Sequence, residues 1–526
     1  MVITARPHWI GVSANSLHRR TASYPEEARM QLTLSDIHHT YPGAASPALA
    51  GVTATFPAGW TGVVGDNGCG KTTLARIACG ELTPDVGAVA PRLVAYYCAQ
   101  DAAAPPLTLM DFACAYDEVA MRLRRDLRLA DEWAWRYDTL SGGQRKLVQV
   151  ACALWERPDL LVVDEPTNHA DTSARTAIRA VLARFTGIGI LISHDRALLD
   201  ALCTQCLFMN AGTAAMRPGG YTQGFAQAEL ERKGALRRRE AAKRERRRLA
   251  RETQRRREEA SRAASRRSAR NIAKHDNDAR FRRRLAVVSG QDGKTGRLAS
   301  RMEARLARAN AQVEALHIDK RYDTDLWVDS APSRRPVLLR TQPLTLPLGE
   351  ATVLRTPVLA LDNRDHVALL GDNGTGKTTL VRALLAQLPE DTACLHVPQE
   401  PDRAAREAAL ARLSGLEAER LGRVLSIVAG LNSVPDRVLA GEEVSPGEMR
   451  KLMLALGVLD RPELIVMDEP TNHLDIGSIR ALEGMLAGYP GALLLVSHDA
   501  ALVEASTSTT WRIHWQDAGE LRLRVE

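Results

Sequence analysis

Two glycine-rich loops hold the first residues of this 526-residue sequence that could do chemistry. Residues 65–72 and 371–378 both fit the pattern GxxxxGK[ST]. Glycines let successive backbone N–H groups turn inward around phosphate oxygens at a helix N-terminus, where the helix dipole favours negative charge. The lysine of each loop would then reach the outer phosphates of a nucleotide, and the following threonine would offer its hydroxyl to Mg²⁺.

Two acidic pairs could supply the rest of a hydrolytic reaction. Residues 164–165 and 468–469 are both Asp-Glu, and each pair follows an apolar run and precedes Pro-Thr-Asn-His. The aspartate would hold Mg²⁺ through water, and the glutamate could polarise an attacking water molecule. His194 and His498, each in a Ser-His-Asp triplet after another apolar run, would lie at the outer phosphate.

The elements that must position these residues are repeated along the chain. All of the motifs occur twice in the same order, which predicts two homologous domains at 31–224 and 325–526. Each motif follows a short apolar run typical of a buried strand, such as 160–163 and 188–192. Strands alternating with helices predict an α/β fold, with two tandem nucleotide-binding domains and mainly parallel sheets.

Composition limits the remaining possibilities. The sequence is 45% hydrophobic and 25% charged, as expected of globular protein. It holds no run of about 18–20 apolar residues, so the chain is not expected to form a membrane pore alone. Residues 1–30 are predicted to be an N-terminal tail, and 225–324 a linker between the domains.

A third motif completes each set. Ser141-Gly142-Gly143-Gln144 precedes a predicted helix and offers a hydroxyl and backbone amides for a second phosphate contact. The order of phosphate loop, Ser-Gly-Gly-Gln, Asp-Glu-Pro and histidine resembles the ATP-binding cassette superfamily. Two such domains with Asp-Glu-Pro-Thr-Asn-His-(Ala/Leu)-Asp and no membrane segment resemble its ABC-F subfamily, over about residues 31–526.

The resemblance implies that the domains pack head to tail around two ATP sites, each pairing one domain's phosphate loop with the other's Ser-Gly-Gly-Gln motif. It implies these residues for site one: Tyr41, Gly65, Asp66, Asn67, Gly68, Gly70, Lys71, Thr72, Thr73, Gln100, Ser445, Gly447 and Glu448. It implies these residues for site two: Gly371, Asp372, Asn373, Gly374, Gly376, Lys377, Thr378, Thr379, Gln399, Ser141, Gly142, Gly143 and Gln144.

The resemblance also assigns the remaining roles. The catalytic residues would be Glu165 and His194 in site one, and Glu469 and His498 in site two. Asp171 and Asp475 would link the two sites. The Mg²⁺ ligands would be Thr72, Gln100 and Asp164, with Thr378, Gln399 and Asp468 in the second site.

Two departures from the family pattern suggest that the two sites differ in hydrolysis rate and in affinity for the adenine base. Proline stands at 446, where the first glycine of the motif is expected, and it lacks an N–H group. We therefore expect site one to hydrolyse ATP more slowly than site two. Tyr41 precedes the first phosphate loop and could stack on adenine, whereas 346–348 before the second loop is Leu-Pro-Leu, so base affinity is in question there.

Between the two domains, the chain is strongly basic. Residues 231–320 hold 29 Lys and Arg against 12 Asp and Glu, whereas the rest of the chain holds 41 against 51. The stretches 231–270 and 297–316 are rich in helix-forming residues, and turn-forming residues lie at 271–278 and 289–296. We expect an antiparallel helical hairpin with its tip between about Asn271 and Lys294, and with a rough apolar stripe along the second arm: Leu298, Met302, Leu306, Val313 and Leu316.

An excess of arginine on this scale favours a polyanion as partner over a merely solvated coiled coil. Phe281 is the only Phe, Trp or Tyr between 231 and 320, which argues against base stacking and for recognition of folded RNA by its shape and phosphates. In the family that the chain resembles, this linker contacts tRNA in the ribosomal E site. The expected partners are therefore the ribosome and tRNA, and the protein is expected to be a cytoplasmic monomer.

Three functions remain open. The first is an ABC-F ATPase acting on translation, either as an antibiotic-resistance ribosome protection factor or as a housekeeping factor. The short interval between Gln100 and Ser141, and the lack of a charged coiled coil after the second domain, favour the resistance type. The second is the ATPase subunit of a transporter whose membrane subunits are separate chains, although an arginine-rich hairpin serves no purpose there. The third is an ATPase that acts on DNA structure.

Overall fold

The computed structural model describes residues 30–44, 46–168, 170–210, 212–267, 278, 281, 293–316, 330–349, 352–433, 435–439, 444–517 and 519–526. Nearly all of the predicted N-terminal tail and of the predicted hairpin tip lie outside these residues. The N-terminal half below means residues 31–224, and the C-terminal half means 325–526.

The elements are given in chain order. The strands are β1 Gln31–His39, β2 Leu49–Pro57, β3 Gly59–Gly65, β4 Val86–Ala90, β5 Ala95–Cys98, β6 Leu160–Asp164, β7 Ile188–Ile192, β8 Cys203–Asn210, β9 Thr213–Pro218, β10 Val337–Arg340, β11 Thr345–Pro347, β12 Val353–Arg355, β13 Ala360–Asp362, β14 His366–Leu370, β15 Cys394–Val397, β16 Leu464–Asp468, β17 Ala492–Val496, β18 Thr509–Asp517 and β19 Glu520–Val525.

The helices follow the same convention. They are α1 Lys71–Ala78, α2 Leu109–Cys114, α3 Glu118–Asp126, α4 Gly142–Trp155, α5 Thr172–Leu182, α6 Arg196–Leu202, α7 Tyr221–Arg267, α8 Gly293–Ala315, α9 Lys377–Leu385, α10 Arg403–Ser414, α11 Ala418–Gly430, α12 Pro435–Leu439, α13 Pro446–Val458, α14 Ile476–Ala487 and α15 Ala500–Ser506. A 3₁₀ helix covers Asp131–Thr139.

Each half is built around one mainly parallel sheet. The strand order is β5-β6-β7-β3-β8-β9 in the N-terminal half, where only β9 runs antiparallel to its neighbour. In the C-terminal half the order is β11-β12-β19-β18-β14-β17-β16-β15, and its central strands β18, β14, β17, β16 and β15 are parallel. The predicted α/β fold class is confirmed.

The predicted catalytic motifs follow central strands that are fully buried. Every residue of β6, β7, β16 and β17 is buried. A parallel sheet covered on both faces requires such continuous apolar runs. The first polar residues after each run therefore emerge together at the carboxyl edge of the sheet, beside the phosphate loop that follows β3 or β14.

The basic linker contains two long helices that pack antiparallel, as the sequence predicted. The Arg257 guanidinium lies 2.6 Å from a carboxylate oxygen of Glu303, and the Thr253 hydroxyl donates to the backbone oxygen of Met302 at 3.5 Å. Leu249, Met302 and Ala309 form a small buried cluster between the helices.

Two expectations about the hairpin were wrong in detail. Helix α8 begins at Gly293, so residues 293–296, predicted as a turn, are helical. Leu298, assigned to the apolar stripe, is 42% exposed, and Ala309 is buried. The two arms pack through Leu249, Met302, Leu306, Ala309 and the buried hydroxyl of Thr253. Met302 and Leu306 were in the predicted stripe, but Ala309 and Thr253 could not be identified from apolarity alone.

Candidate functional site

The two phosphate loops have the same backbone form. Gly68 and Gly70 have φ angles of 77° and 99°, and their counterparts Gly374 and Gly376 have 81° and 86°. This left-handed region strains other residues. A Cβ at Gly70 would also lie 2.5 Å from the backbone oxygen of Ala48, so only glycine fits there.

The lysine of each loop is buried and held by its own loop. Lys71 Nζ donates to the backbone oxygens of Gly65 and Asp66 at 2.8 and 3.0 Å. Lys377 Nζ donates to those of Gly371 and Asp372 at 2.6 and 3.1 Å. Both ammonium groups therefore stand inside the curve of the backbone amides, where a polyphosphate would be held.

Two of the three predicted magnesium ligands are brought together in each half, the threonine and the aspartate. The Thr72 hydroxyl donates to Asp164 Oδ2 at 3.0 Å, and the Thr378 hydroxyl donates to Asp468 Oδ2 at 3.0 Å. Burial raises the pKa of both aspartates. Sequence reasoning missed Tyr97, whose hydroxyl also donates to Asp164 at 3.0 Å.

The two glutamates are held in a strained position. Glu165 and Glu469 have φ angles of 47° and 46°, which are uncommon for residues other than glycine. Their backbone N–H groups bond to the last residues of β7 and β17 at 2.9 and 2.8 Å, which stabilises this geometry. Burial raises the pKa of Glu165 to about 8 and that of Glu469 to about 7. Oε1 of each accepts no hydrogen bond within the described residues.

A histidine stands beside each glutamate. His194 Nε2 lies 3.4 Å from Glu165 Oε1, and His498 Nε2 lies 3.4 Å from Glu469 Oε1. Burial and the neighbouring lysine lower the pKa of both imidazoles to about 3, so both are neutral near pH 7. A neutral imidazole beside a carboxylate of raised pKa can orient a water molecule or a phosphate oxygen.

Residues of both halves line one cavity of about 610 Å³ around the first phosphate loop. Ser445, Pro446 and Gly447, at the start of α13, face Lys71 across it. The cavity is also lined by Tyr41, Asn67, Gly68, Gly70, Thr72, Thr73, Gln100, Asp164, Glu165 and His194. Its volume is within the range of small-molecule sites. The Tyr41 hydroxyl and Thr73 Oγ1 are 3.1 Å apart at one end.

Around the second loop, the described contacts between the halves come from the region after β6. Asp171 Oδ2 accepts a hydrogen bond from the backbone N–H of Asn373 at 3.4 Å. The Thr172 hydroxyl is 3.4 Å from His498 Nδ1, and Arg175 donates to the His498 backbone oxygen at 3.3 Å.

The remaining predicted site residues either begin a helix or make no contact that would identify them as ligands. Ser141 caps α4 through the backbone N–H of Gln144, and Ser445 caps α13 through that of Glu448. Gly142 and Gly143 form the first turn of α4, and the approach of this end to Lys377 stays a prediction. Three others have no described ligand-like contact and also stay predictions: Gly374, Thr379 and Gln399.

Further contacts hold the halves together, and none of them was predicted from the sequence. Arg196 forms a two-pronged ion pair with Glu483 and lies 3.6 Å from Asp499. Asn432 Nδ2 donates to Asp66 Oδ1 at 2.8 Å, and Asn67 Nδ2 donates to the His473 backbone oxygen at 3.0 Å. Both amide contacts tie the first phosphate loop to the C-terminal half.

The oxygen donors fit a Mg²⁺ ion. Carboxylate and hydroxyl oxygens beside a nucleotide phosphate are the ligands that Mg²⁺ prefers. The pairs Thr72 with Asp164 and Thr378 with Asp468 provide these donors next to a buried lysine. The unpaired Oε1 atoms of Glu165 and Glu469 leave one acceptor in each site for a water molecule.

Comparison with known proteins agrees with this geometry. The family model described as ABC transporter matches residues 49–168 and 354–472. The chain is 26% identical over 470 residues to the ribosome protection protein VmlR of Bacillus subtilis, covering 85% of this chain and 80% of VmlR. It is 29% identical over 525 residues to the tylosin resistance ATP-binding protein TlrC of Streptomyces fradiae, covering 85% and 90%. In its two matched segments and in these relatives, the chain resembles the ABC-F subfamily of ATP-binding cassette proteins.

The two matched segments and these relatives indicate ATPase activity, and residues 31–224 and 325–526 are called cassette one and cassette two below. Its fold resembles that of the RNase-L Inhibitor, with a TM-score of 0.59 at 18% identity over 93% of this chain and 90% of that one. Among the described residues, no helix has both the length and the apolar character needed to span a bilayer.

Proposed function

We propose that this chain is an ABC-F protein, a cytoplasmic ribosome-binding ATPase that acts on translation as a ribosome protection factor. ATP bound at two composite sites would hold the cassettes closed, and the linker 225–324 would then contact the ribosome and the tRNA in its E site. Hydrolysis would open the cassettes and release the protein. The observation that supports this proposal most strongly is the position of the basic hairpin, whose first helix begins at the interface between the cassettes.

The root of the hairpin touches both cassettes. Tyr221, the first residue of α7, is buried in the core of cassette one in the same cluster as Ile476 of cassette two. The Arg480 guanidinium of cassette two lies 3.8 Å from the centre of the Phe225 ring. Asp200, in the helix after His194, accepts a hydrogen bond from the Thr222 backbone N–H at 2.8 Å. Opening or closing the cassettes would therefore move the hairpin.

The outer surface of the hairpin suits an RNA backbone. Five arginines of α7 are exposed and form no ion pair with the described residues: Arg237, Arg238, Arg247, Arg251 and Arg262. Guanidinium groups bind phosphate in a bidentate manner, and neutralising phosphates accounts for most sequence-independent affinity for nucleic acid. The names of VmlR and TlrC, which refer to ribosome protection and tylosin resistance, support the resistance type over a housekeeping factor. A transporter ATPase would give the hairpin no role.

The chemistry would be hydrolysis of the terminal phosphoanhydride of ATP. In site one, Lys71 would hold the outer phosphates, and Glu165 would accept a proton from the attacking water, which His194 helps to orient. Lys377, Glu469 and His498 would do the same in site two. Mg²⁺, held by Thr72 and Asp164 or by Thr378 and Asp468 with Gln100 or Gln399, would neutralise developing phosphate charge.

The direct test is co-sedimentation of the full chain with purified ribosomes at physiological salt. We expect binding with ATP and release with ADP, and lower sensitivity to ribosome-targeting antibiotics in cells that express the chain. Binding to duplex DNA in preference to ribosomes, or failure to bind ribosomes with either nucleotide, would contradict the proposal.

Site one should be the slower of the two. Pro446 stands at the first position of α13, lines the cavity of site one, and has no N–H group for a phosphate oxygen. A hydrogen bond to a charged group contributes about 1.5 kcal/mol or more, which corresponds to about tenfold in rate if it is made only in the transition state. We expect Glu469→Gln, which leaves only site one active, to lower ATP turnover more than Glu165→Gln.

Two reciprocal substitutions control this comparison. Pro446→Gly should raise the turnover left in the Glu469→Gln background, and Gly142→Pro should lower the turnover left in the Glu165→Gln background. Steady-state phosphate release measures all four proteins. Equal losses in the two glutamine variants would show that Pro446 does not slow site one.

A further inference from the structure

The helix that follows Ser141-Gly-Gly-Gln and the helix that follows its counterpart Ser445-Pro-Gly-Glu each carry a buried cation just over one turn after the capping serine. In cassette one this is Lys146, which is 2% exposed, and in cassette two it is Arg450, which is 3% exposed. Both stand five residues after the capping serine, Ser141 or Ser445. Burying a charge is costly unless it is well paired, so each cation must have partners that repay its desolvation.

The partners of Arg450 belong to the catalytic segment of its own cassette. Arg450 Nη1 donates to the backbone oxygen of Glu469 at 3.1 Å and to that of Asn472 at 2.8 Å. Glu469 is the proposed base of site two. Helix α13, which carries Arg450, presents Ser445 and Gly447 to the cavity of site one. The Arg450 side chain therefore contacts the backbone of Glu469, the proposed base of site two. It does so from helix α13, whose first residues line site one.

Lys146 makes the equivalent connection in cassette one. Its Nζ donates to the backbone oxygen of Asp164 at 3.1 Å, to that of Ala99 at 2.5 Å, and to Gln149 Oε1 at 3.0 Å. Asp164 would hold Mg²⁺ in site one, and Ala99 directly precedes Gln100. Helix α4, which carries Lys146, begins at the motif proposed to complete site two.

We infer that Lys146 and Arg450 are positioning residues that link the two ATP sites of this protein. When a nucleotide pulls the start of α13 into site one, Arg450 would shift the backbone at Glu469 and so change the alignment of the base in site two. Lys146 would pass movement at site two to Asp164 and Ala99 in site one. The inference rests on the proposed function, because it requires both sites to hydrolyse ATP.

The test asks whether the ATP turnovers of the two sites add up to the turnover of the whole protein. If the sites are independent, the ATP turnovers of Glu165→Gln and Glu469→Gln sum to the wild-type turnover. We expect the sum to differ from the wild-type turnover by about fivefold or more, a size typical of coupling between sites. In an Arg450→Gln or Lys146→Gln background, we expect the sum to return to within about twofold of the turnover of that background.

Arg145→Gln is the matched control. Arg145 is next to Lys146 on α4, but it donates to the backbone oxygens of Tyr137 and Asp138, outside the catalytic segment. This variant should keep the wild-type departure from additivity. Arg450→Lys and Lys146→Arg should also keep the departure from additivity. Each variant retains a cation, of the type that the other cassette has at the equivalent position.

The outcomes separate the possible failures. If the turnovers of Glu165→Gln and Glu469→Gln sum to that of the wild-type protein, the inference is overturned. This outcome does not depend on whether the glutamine variants at 146 and 450 fold. Non-additivity that survives in both glutamine backgrounds, with ATP binding intact, would overturn it as well. Absence of ATP hydrolysis in the wild-type protein would instead refute the proposed function.

Discussion

The double substitution Glu165→Gln, Glu469→Gln is expected to lower ATP turnover by at least about 100-fold, because a general base typically contributes about 10²–10⁴ in rate. Glutamine keeps the size of the side chain and an oxygen that can accept the bond from the His194 backbone N–H, now 3.3 Å from Glu165 Oε2. It cannot take a proton from water. ATP should therefore bind and remain, and the cassettes should stay closed.

Two measurements check this result. Phosphate release reports turnover, and co-sedimentation should show the double variant retained on ribosomes with ATP but not with ADP. The matched control is Glu118→Gln, Glu504→Gln, which changes two exposed glutamates that do not line the cavity of site one and should behave as wild type. Turnover within about tenfold of wild type would remove these glutamates from the role of base. A trapped protein that stays off ribosomes at physiological salt would refute the ribosome proposal.

Replacing four arginines of α7 by glutamine should weaken ribosome binding strongly while sparing ATP hydrolysis. The variant is Arg237→Gln, Arg247→Gln, Arg251→Gln, Arg262→Gln, at positions that are exposed and form no ion pair with the described residues. Each lost phosphate contact reduces the slope of log affinity against log salt by about 1, so the slope should fall by up to about 4. Glutamine forms helices nearly as well as arginine, so α7 should persist.

The control removes the same charge from the cassettes. Arg122, Arg334, Arg423 and Arg524 are exposed and likewise outside the described ion pairs, and their replacement by glutamine should leave the salt slope near the wild-type value. Sedimentation across a range of salt concentrations, with basal phosphate release in parallel, separates the two variants. If both variants lose the same affinity, net charge rather than the hairpin accounts for binding.

Local patterns in the sequence were enough to predict where the candidate catalytic groups lie. The glycine loops, the Asp-Glu pairs and the Ser-His-Asp triplets each occupy a few consecutive residues after a buried strand, and the predicted strands agree with the structure to within one or two residues. A fully buried parallel strand requires an unbroken apolar run, so the end of that run fixes where the polar residues emerge. The hairpin was predictable for the same reason, because helix-forming composition and net charge are local properties.

Contacts across the interface were not predictable. These contacts join residues hundreds of positions apart that have ordinary local surroundings: Arg196 with Glu483, Asn432 with Asp66, and Arg480 with Phe225. The choice of Leu298 as a packing residue failed because helix phase depends on the partner helix as well as on apolarity.

The links from Lys146 and Arg450 to the catalytic carbonyls were equally hidden. A lysine or an arginine near the start of a helix usually lies in solvent, and only the packing of α4 and α13 under the sheet edge places these two beside Asp164 and Glu469. The sequence by itself determined which groups could bind and hydrolyse ATP, because each motif is local. The tertiary structure decided which of them share a site, because that depends on how two separately folded sheets meet.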